Sequence, residues 1–320
     1  MTLVHRPCVL QSEDLDPAAA AWLRESCDLV VCHFSHPDFP AHLASAEGLV
    51  VRTYTRVDGA LLAKAPRLRC VARAGVGLDR IDVAACRARG VEVVHTPDAN
   101  SVAVAEYVFA LLHDALRPRT ALREAVTPDR WNELRHDHHA PAQFSELTLG
   151  VLGLGRVGSR VARIASGYGM EVLYTDLAKI PASRRHGAVP VALEDLFKRC
   201  DILSIHIDSR PGNERFIDAR RLALLKPSAI LVNTSRGLVV DASALAAWLR
   251  ANPAGRALLD VHDPEPFPAD YPLLGMSNAV LLPHLAAATT AAHVNMSWVV
   301  KDLYRVLHGQ RPEHPAPPTP

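Results

Sequence analysis

Short apolar runs alternate along the chain with stretches in which apolar residues recur three and four positions apart. Runs of this length suit strands buried on both faces, and the intervening periodicity suits amphipathic helices. Together they predict sheets wound in βα units. In the first third the expected strands are residues 8–10, 29–32, 48–51, 68–72 and 91–95. Asp16 and Pro17 supply an N-cap and a first-turn proline for a helix through Trp22 and Leu23. Residues 79–89 read as a further helix closed by Gly90, and Thr96-Pro97-Asp98 breaks the winding. Residues 100–116 predict one long helix with Val104, Val108, Leu111 and Leu112 on its buried face, placed to act as a hinge between domains. Residues 118–144 are the least regular part of the chain. From Thr148 the winding resumes, with strands at 149–152, 172–175, 202–205, 229–233, 257–261 and 280–282 and a helix at 242–250 capped by Asp241. A last long helix is expected over 291–307, and the tail 310–320, which holds five prolines, is expected to be disordered.

The strand at 149–152 runs directly into Gly153-Leu154-Gly155-Arg156-Val157-Gly158. Val157, Val161, Ile164 and Ala165 then fall at helical spacing, a second strand follows, and Asp176 stands at its end. Each part has a task in gripping a dinucleotide. Gly153 permits the tight turn, Gly155 lets the backbone approach a pyrophosphate, and Gly158 lets helix and strand pack closely. The helix N-terminus offers unpaired N–H groups and a positive dipole end to the phosphates. Asp176 can accept hydrogen bonds from a ribose 2′-hydroxyl and would repel a 2′-phosphate, which points to NAD.

Composition narrows the partners. The 320 residues allow two domains of ordinary size, and 49% hydrophobic with 22% charged residues is the balance of a globular protein. A net charge of +1 gives no electrostatic reason to expect nucleic acid or an anionic membrane. No apolar run approaches the length of a membrane span, and His5, Arg6 and Pro7 interrupt the region where a signal-peptide core would lie. Cys8, Cys27, Cys32, Cys70, Cys86 and Cys200 are scattered, without a C-x-x-C pair, and read as reduced core residues of a cytoplasmic protein. Arg135-His136-Asp137-His138-His139 reads as a solvated loop, because adjacent histidines seldom converge on one ion; no metal site is expected. Trp131 is expected to anchor that loop to the core or to cap a pocket.

Three segments sit where strands of the second half end, which is the ligand side of an open α/β sheet. Asn233-Thr234-Ser235-Arg236-Gly237 places a guanidinium able to fork onto a carboxylate. Asp260-Val261-His262-Asp263-Pro264-Glu265-Pro266 fixes an acid between two prolines, and Leu282-Pro283-His284-Leu285 places an imidazole at a strand end. A 2-oxo acid accepting hydride needs a proton donor at its carbonyl oxygen, a carboxylate to orient and charge that donor, and a fixed cation for the substrate carboxylate. His284, Glu265 and Arg236 meet those three demands beside a nicotinamide.

From about residue 48 to 309 the sequence resembles the D-isomer-specific 2-hydroxyacid dehydrogenase family. Arg73-Ala74-Gly75-Val76-Gly77-Leu78-Asp79 resembles its first-domain signature, whose glycine-turn N–H groups hold the substrate carboxylate; Gly75, Val76 and Gly77 are substrate binders by that likeness. Asn100 with Val104-Ala105-Glu106 resembles the start of the interdomain helix, and the segments ending at Gly237, Pro266 and Thr289 match those carrying the catalytic arginine, acid and histidine. The resemblance further implies cofactor contacts from Arg156, Val157, His206, Thr234 and Asp260, the last to the nicotinamide amide. It implies a fold of two doubly wound α/β parallel-sheet domains. A Rossmann NAD-binding domain, residues 100–287, is inserted into a flavodoxin-like substrate domain, residues 1–99 and 288–320, with the last helix returning to the latter. It also implies a homodimer.

Within the family, residues 49–57 and 73–77 look most like phosphoglycerate dehydrogenases that lack a regulatory domain, with Arg52 and Arg73 as a phosphate-binding pair. His206-Ile207-Asp208-Ser209-Arg210 departs from the family's His-x-Pro-Leu near the adenosine. The expected activity is NAD-dependent hydride transfer between a 2-oxo acid and a D-2-hydroxy acid, with 3-phosphoglycerate, hydroxypyruvate and glyoxylate as candidate substrates. The alternatives on the same scaffold are an NAD(H)-sensing protein of the corepressor type and a phosphite or formate oxidoreductase.

Overall fold

The computed structural model describes residues 6–117, 119–137 and 140–318, so His138 and His139 of the histidine-rich stretch and Pro118 lie outside the described residues. The chain forms two compact units, Met1–Asn100 with Ala287–Pro320, and Ser101–Ala286.

In the first unit, strands β1 (Cys8–Gln11), β2 (Asp28–Val31), β3 (Gly48–Val51), β4 (Cys70–Arg73) and β5 (Glu92–His95) form one parallel sheet in the order β2-β1-β3-β4-β5. That is the flavodoxin-like winding order. Side chains alternate between two cores as the pleat requires. Leu10, Leu49, Val51, Val71 and Val93 bury on one face, and Val9, Val50, Cys70, Ala72 and Val94 on the other.

One carboxylate shapes the loop that leaves β3. Glu13 Oε1 accepts the N–H groups of Arg52 (3.0 Å) and Thr55 (2.8 Å), and its Oε2 accepts those of Thr53 (2.6 Å) and Tyr54 (2.9 Å). Burial alone would raise the Glu13 pKa, but these four donors outweigh it and hold the group below the usual carboxylate range.

Three expectations for this unit need correction. The helix anticipated over residues 79–89 spans only Val83–Ala88. Asp82 caps it through the Ala85 N–H (2.8 Å), and Ile81 is held in a parallel bridge to Val57. The last helix is two helices, Thr290–Ser297 and Val300–Leu307. Between them the backbone switches to three-residue bonds such as Lys301 N–H to Trp298 O, while the Trp298 ring packs edge-on to Trp22 at 6.2 Å. Val300, Leu303 and Leu307 thereby reach the core of the second sheet face.

Residues 310–318 of the proline-rich tail are held against the sheet, contrary to expectation. Pro315 bridges Val94 in antiparallel sense, the His95 N–H bonds His314 O (3.1 Å), and the Ala316 N–H bonds Val93 O (2.7 Å). Asp302 accepts the N–H groups of Glu313 and His314, both at 2.9 Å. An extended proline-containing segment cannot build a helix but fits a sheet edge, so composition alone misleads here.

In the second unit, β6 (Thr148–Leu152), β7 (Glu171–Thr175), β8 (Val189–Pro190), β9 (Ile202–Ile205), β10 (Ile230–Asn233), β11 (Arg256–Leu259) and β12 (Ala279–Leu281) are parallel. Their order is β12-β11-β10-β9-β6-β7-β8, the doubly wound dinucleotide arrangement with one added strand. The short β8 carried no apolar run to announce it. Leu149, Val151, Ile202, Ile230 and Val232 fill the core on one face, and Leu152, Leu203, Ile205 and Leu231 that on the other.

The stretch that looked least regular contains a helix, Pro128–Asp137, with no buried residue. Trp131 on it is 50% exposed, so it does not anchor the segment to the core as expected. Among the described residues no helix is long and apolar enough to cross a membrane, and no three His, Cys, Asp or Glu side chains group as metal ligands.

Because the folded Glu13 pKa is lowered, its stabilisation is fully present above the free carboxylate value of about 4.3 and is lost as pH falls through the folded one. Glu13→Gln should lower stability at neutral pH by about 2 kcal/mol. It should also flatten the fall in melting temperature below about pH 4.3, the free value. Thermal unfolding followed across pH checks both, and parallel curves for the two proteins would contradict the assignment.

Candidate active site

The candidate groups of the second unit stand just past the C-terminal ends of parallel strands: the glycine turn after β6, Asp176 after β7, His206 after β9, Thr234 and Arg236 after β10, Asp260 after β11 and His284 after β12. This is the ligand edge of such a sheet, and β6 marks the point where the strand order reverses.

At the glycine turn Gly153 has φ 91°, and its N–H donates to Thr175 O at 2.8 Å. A Cβ on Gly158 would lie 2.0 Å from the Gly153 carbonyl oxygen, so only glycine lets the helix Arg156–Gly167 start this close to the turn. That helix is capped by Gly155 with no side-chain acceptor and no acid in its first turn, and a Cβ on Gly155 would meet nothing within 4 Å. The first-turn N–H groups, Arg156 and Val157 among them, therefore face open space with the positive end of the dipole behind them. Asp176 Oδ2 accepts the Leu154 N–H (2.6 Å) and Oδ1 the Ala178 N–H (2.7 Å), which leaves lone pairs on both oxygens for hydroxyl donors. Thr234 Oγ1 is buried with no partner among the described residues, an orphan that a bound ligand would satisfy. A dinucleotide fits this edge.

His206 contributes backbone more than ring. Its Nε2 is paired with Ser204 Oγ at 2.7 Å, and burial pushes its pKa down to about 3, so the ring stays neutral. Its N–H bonds Leu152 O, and its carbonyl oxygen lies where a Cβ on Gly153 would come within 3.0 Å. Beyond it, where the sequence departs from the family, Arg210 forks onto Asp208 at 2.6 and 2.7 Å, and Asn213 ties down the Asp208 carbonyl at 2.9 Å. The pair with Asp208 raises the Arg210 pKa, and the charge of Asp176 adds to the same field.

His284, Glu265 and Arg236 are linked through their loops. His284 Nδ1 lies 2.9 Å from Glu265 Oε2, while Glu265 Oε1 accepts the His262 N–H at 2.8 Å. Burial raises the Glu265 pKa, but the His284 hydrogen bond, the His262 N–H and the charges of both rings outweigh it and hold the group low. A Cβ on Gly237 would come within 1.9 Å of the His262 carbonyl carbon, so the residue after Arg236 presses its backbone against the Glu265 loop. Asn233 builds the Arg236 turn: its Oδ1 accepts from Ser235 N–H (3.0 Å) and Oγ (2.8 Å), and its Nδ2 donates to Arg236 O (2.9 Å). The His262 ring donates from Nε2 to Leu282 O at 2.8 Å, fastening the same loop to the end of β12.

Asp260 is 0% exposed. Its Oδ1 and Oδ2 accept the N–H groups of Leu285 (2.7 Å) and Ala286 (2.8 Å), and its carbonyl accepts the His284 N–H (2.9 Å). Burial raises its pKa against the pull of those two donors. Asn233, Gly237 and His262 build the loops around the site, and His262 Nδ1 is buried without a partner among the described residues. An Asn at a strand end before a tight turn was the only signal available for them.

In the first unit the glycine turn Gly75–Gly77 follows β4, and Arg73 Nη1 donates to Ala74 O at 2.6 Å. Arg52 Nη1 contacts His293 Nδ1; a guanidinium has only donors, so Nδ1 is the acceptor and the imidazole proton sits on Nε2. Arg52, Arg73 and Arg80, with Asp79, line a solvent-open pocket of about 240 Å³.

Residues 109–286 match the sequence profile of the D-isomer specific 2-hydroxyacid dehydrogenase, NAD binding domain. The chain is 36% identical over 308 residues to a glyoxylate reductase of Aeropyrum pernix, covering 93% of this chain and 92% of that protein. It is 36% identical over 309 residues to an (S)-sulfolactate dehydrogenase of Chromohalobacter salexigens, covering 95% and 99%. The crystal structure of TT0316 protein from Thermus thermophilus superposes with a TM-score of 0.84 at 32% identity, covering 97% of this chain and all of that one. The chain therefore belongs to the D-isomer-specific 2-hydroxyacid dehydrogenase family and is an NAD-dependent oxidoreductase acting between 2-oxo and 2-hydroxy acids.

Proposed function

We propose that His284, Glu265 and Arg236 are the catalytic residues for reduction of a 2-oxo acid to its D-2-hydroxy acid and for the reverse oxidation. The 2.9 Å contact of His284 Nδ1 with Glu265 Oε2 carries this reading. With Nδ1–H donated to the carboxylate, Nε2 is the atom left to exchange a proton, and it has no partner among the described residues. Bound NAD supplies or accepts the hydride at the substrate carbon. In reduction, His284 Nε2–H passes its proton to the carbonyl oxygen as the carbon–oxygen double bond becomes single; in oxidation it takes the hydroxyl proton. Glu265 stabilises the imidazolium and fixes the ring plane. Arg236 holds the substrate carboxylate and polarises the carbonyl. Within the first unit, the N–H groups of Val76 and Gly77 form a receptor for a carboxylate. Asp260 anchors the chain after His284 through the N–H groups of Leu285 and Ala286.

On the cofactor side, the turn from Gly153 to Gly158 holds the pyrophosphate, Asp176 the ribose diol, and Thr234 Oγ1 a polar group of the dinucleotide. In the first unit, Arg52, Arg73 and Arg80 around the pocket favour an anionic group such as a phosphate or a sulfonate. Protein of this kind works where thiols stay reduced, in the cytoplasm, and as a homodimer; buried Cys27, Cys70, Cys86 and Cys200 have pKa values raised by burial and are inert. Sedimentation equilibrium giving the mass of one chain would end the dimer reading, and a disulfide found in protein purified from the cytoplasm under alkylating conditions would end the reduced-thiol one.

His284→Gln should lower kcat by about 10²–10⁴ while NADH binding, read by fluorescence, stays as in the unaltered protein. Retained turnover would sink the role of His284. A protein that binds NADH but turns over no 2-oxo acid, phosphite or formate would be a sensor instead. Asp176→Ala should narrow the preference for NADH over NADPH by about tenfold or more, since a repelling charge is removed; an unchanged preference removes Asp176 from the ribose. Arg52→Ala should raise KM about tenfold for sulfopyruvate and phosphohydroxypyruvate but not for glyoxylate. Equal effects on all three would contradict a distal anion site.

A further inference from the structure

We propose that His95 is a positioning residue that aims the N–H groups of the glycine turn at the substrate carboxylate. The turn lies past β4, and its carbonyl oxygens are held by the neighbouring end of β5. The Thr96 N–H donates to Gly75 O at 3.1 Å, and His95 Nδ1 lies 2.9 Å from Val76 O. A carbonyl only accepts, so His95 Nδ1 carries the proton and donates it.

The geometry of the peptide unit turns these two bonds into an orientation. In a planar trans peptide the carbonyl and the following N–H point in opposite directions. Gly75 O shares a peptide with the Val76 N–H, and Val76 O shares one with the Gly77 N–H. Drawing both carbonyls toward β5 therefore turns both N–H groups the other way. Neither N–H has an acceptor among the described residues. Two adjacent, parallel, unpaired donors in a half-buried turn form a receptor for one carboxylate.

The donor ring is itself well seated. His95 is 8% exposed and stands level with Arg73 in the β4–β5 register. Its own N–H is fixed to His314 O at 3.1 Å, so the tail helps set where the imidazole stands. No other side chain bonds a turn carbonyl in Gly75–Gly77 among the described contacts. The imidazole acts through the backbone and does not meet the reacting atoms.

The inference rests on Val76 and Gly77 as carboxylate binders and can fail separately from it. His95→Phe keeps an aromatic ring and removes the donor; His95→Asn restores an amide donor. With NADH and glyoxylate, the Phe variant should show KM raised about tenfold with kcat within about threefold of the unaltered enzyme. Oxalate, which binds without turnover, should weaken by the same factor in calorimetry on the NADH-loaded protein. NADH affinity should not move, and the Asn variant should recover most of the loss. Unchanged KM and oxalate affinity in the Phe variant would overturn the proposal. So would a variant whose melting temperature falls below that of the assay, because the ring would then serve the fold and not the turn. Absence of glyoxylate turnover in the unaltered enzyme would instead count against the catalytic reading, while oxalate binding still reports on His95.

Discussion

Three loops have to meet for the proposed chemistry, and one buried acid ties them. The Asp260 N–H takes the Asn233 carbonyl, the last residue of β10 before the Arg236 turn. Its own carbonyl takes the His284 N–H, and its carboxylate holds the next two N–H groups. The strand end that bears Asp260 also leads into the Glu265 loop. The arginine turn and the histidine segment thus reach their places through hydrogen bonds to one residue, and the glutamate through the chain that follows it. A carboxylate with no exposure is tolerated there because it has donors on both oxygens. Removing one partner would leave the rest desolvated and unpaired, which is why such a junction has little freedom to drift.

The same device recurs at other loops. Glu13 gathers four N–H groups of the loop after β3, Asp176 joins the first glycine turn to the end of β7, and Asp302 collects two N–H groups of the tail. In each place irregular backbone that a sheet cannot pair is satisfied by an acid from a distant part of the chain. The ligand edge of a parallel sheet is made of such backbone, so its precision depends on acids that hold main-chain N–H groups in place.

How much of this could be read from the sequence divides along the same line. The strands, the Gly153–Gly158 turn and Asp176 were legible because periodicity and turn chemistry are local. That Arg236, Glu265 and His284 stand in loops past strand ends was legible because each loop follows an apolar run. Glu13 and His95 were not, since a side chain that acts on backbone amides leaves no pattern near its partners. The break at Trp298 was also hidden: no glycine or proline marks it, and the Trp298 ring there packs on the distant Trp22. The tail was misread for the opposite reason, because its composition outweighed an edge that exists only once β5 has folded.

That edge bears on how the protein keeps to itself. β5 ends the first sheet and would otherwise present unpaired N–H and C=O groups to any extended chain. Pro315 and its neighbours occupy the position, and Ala316 is buried there. A strand carrying proline at its bridge residue lacks the N–H needed to recruit another strand in turn. Growth of the sheet stops at Pro315, so the segment around Pro315 and Ala316 guards this edge against edge-to-edge aggregation.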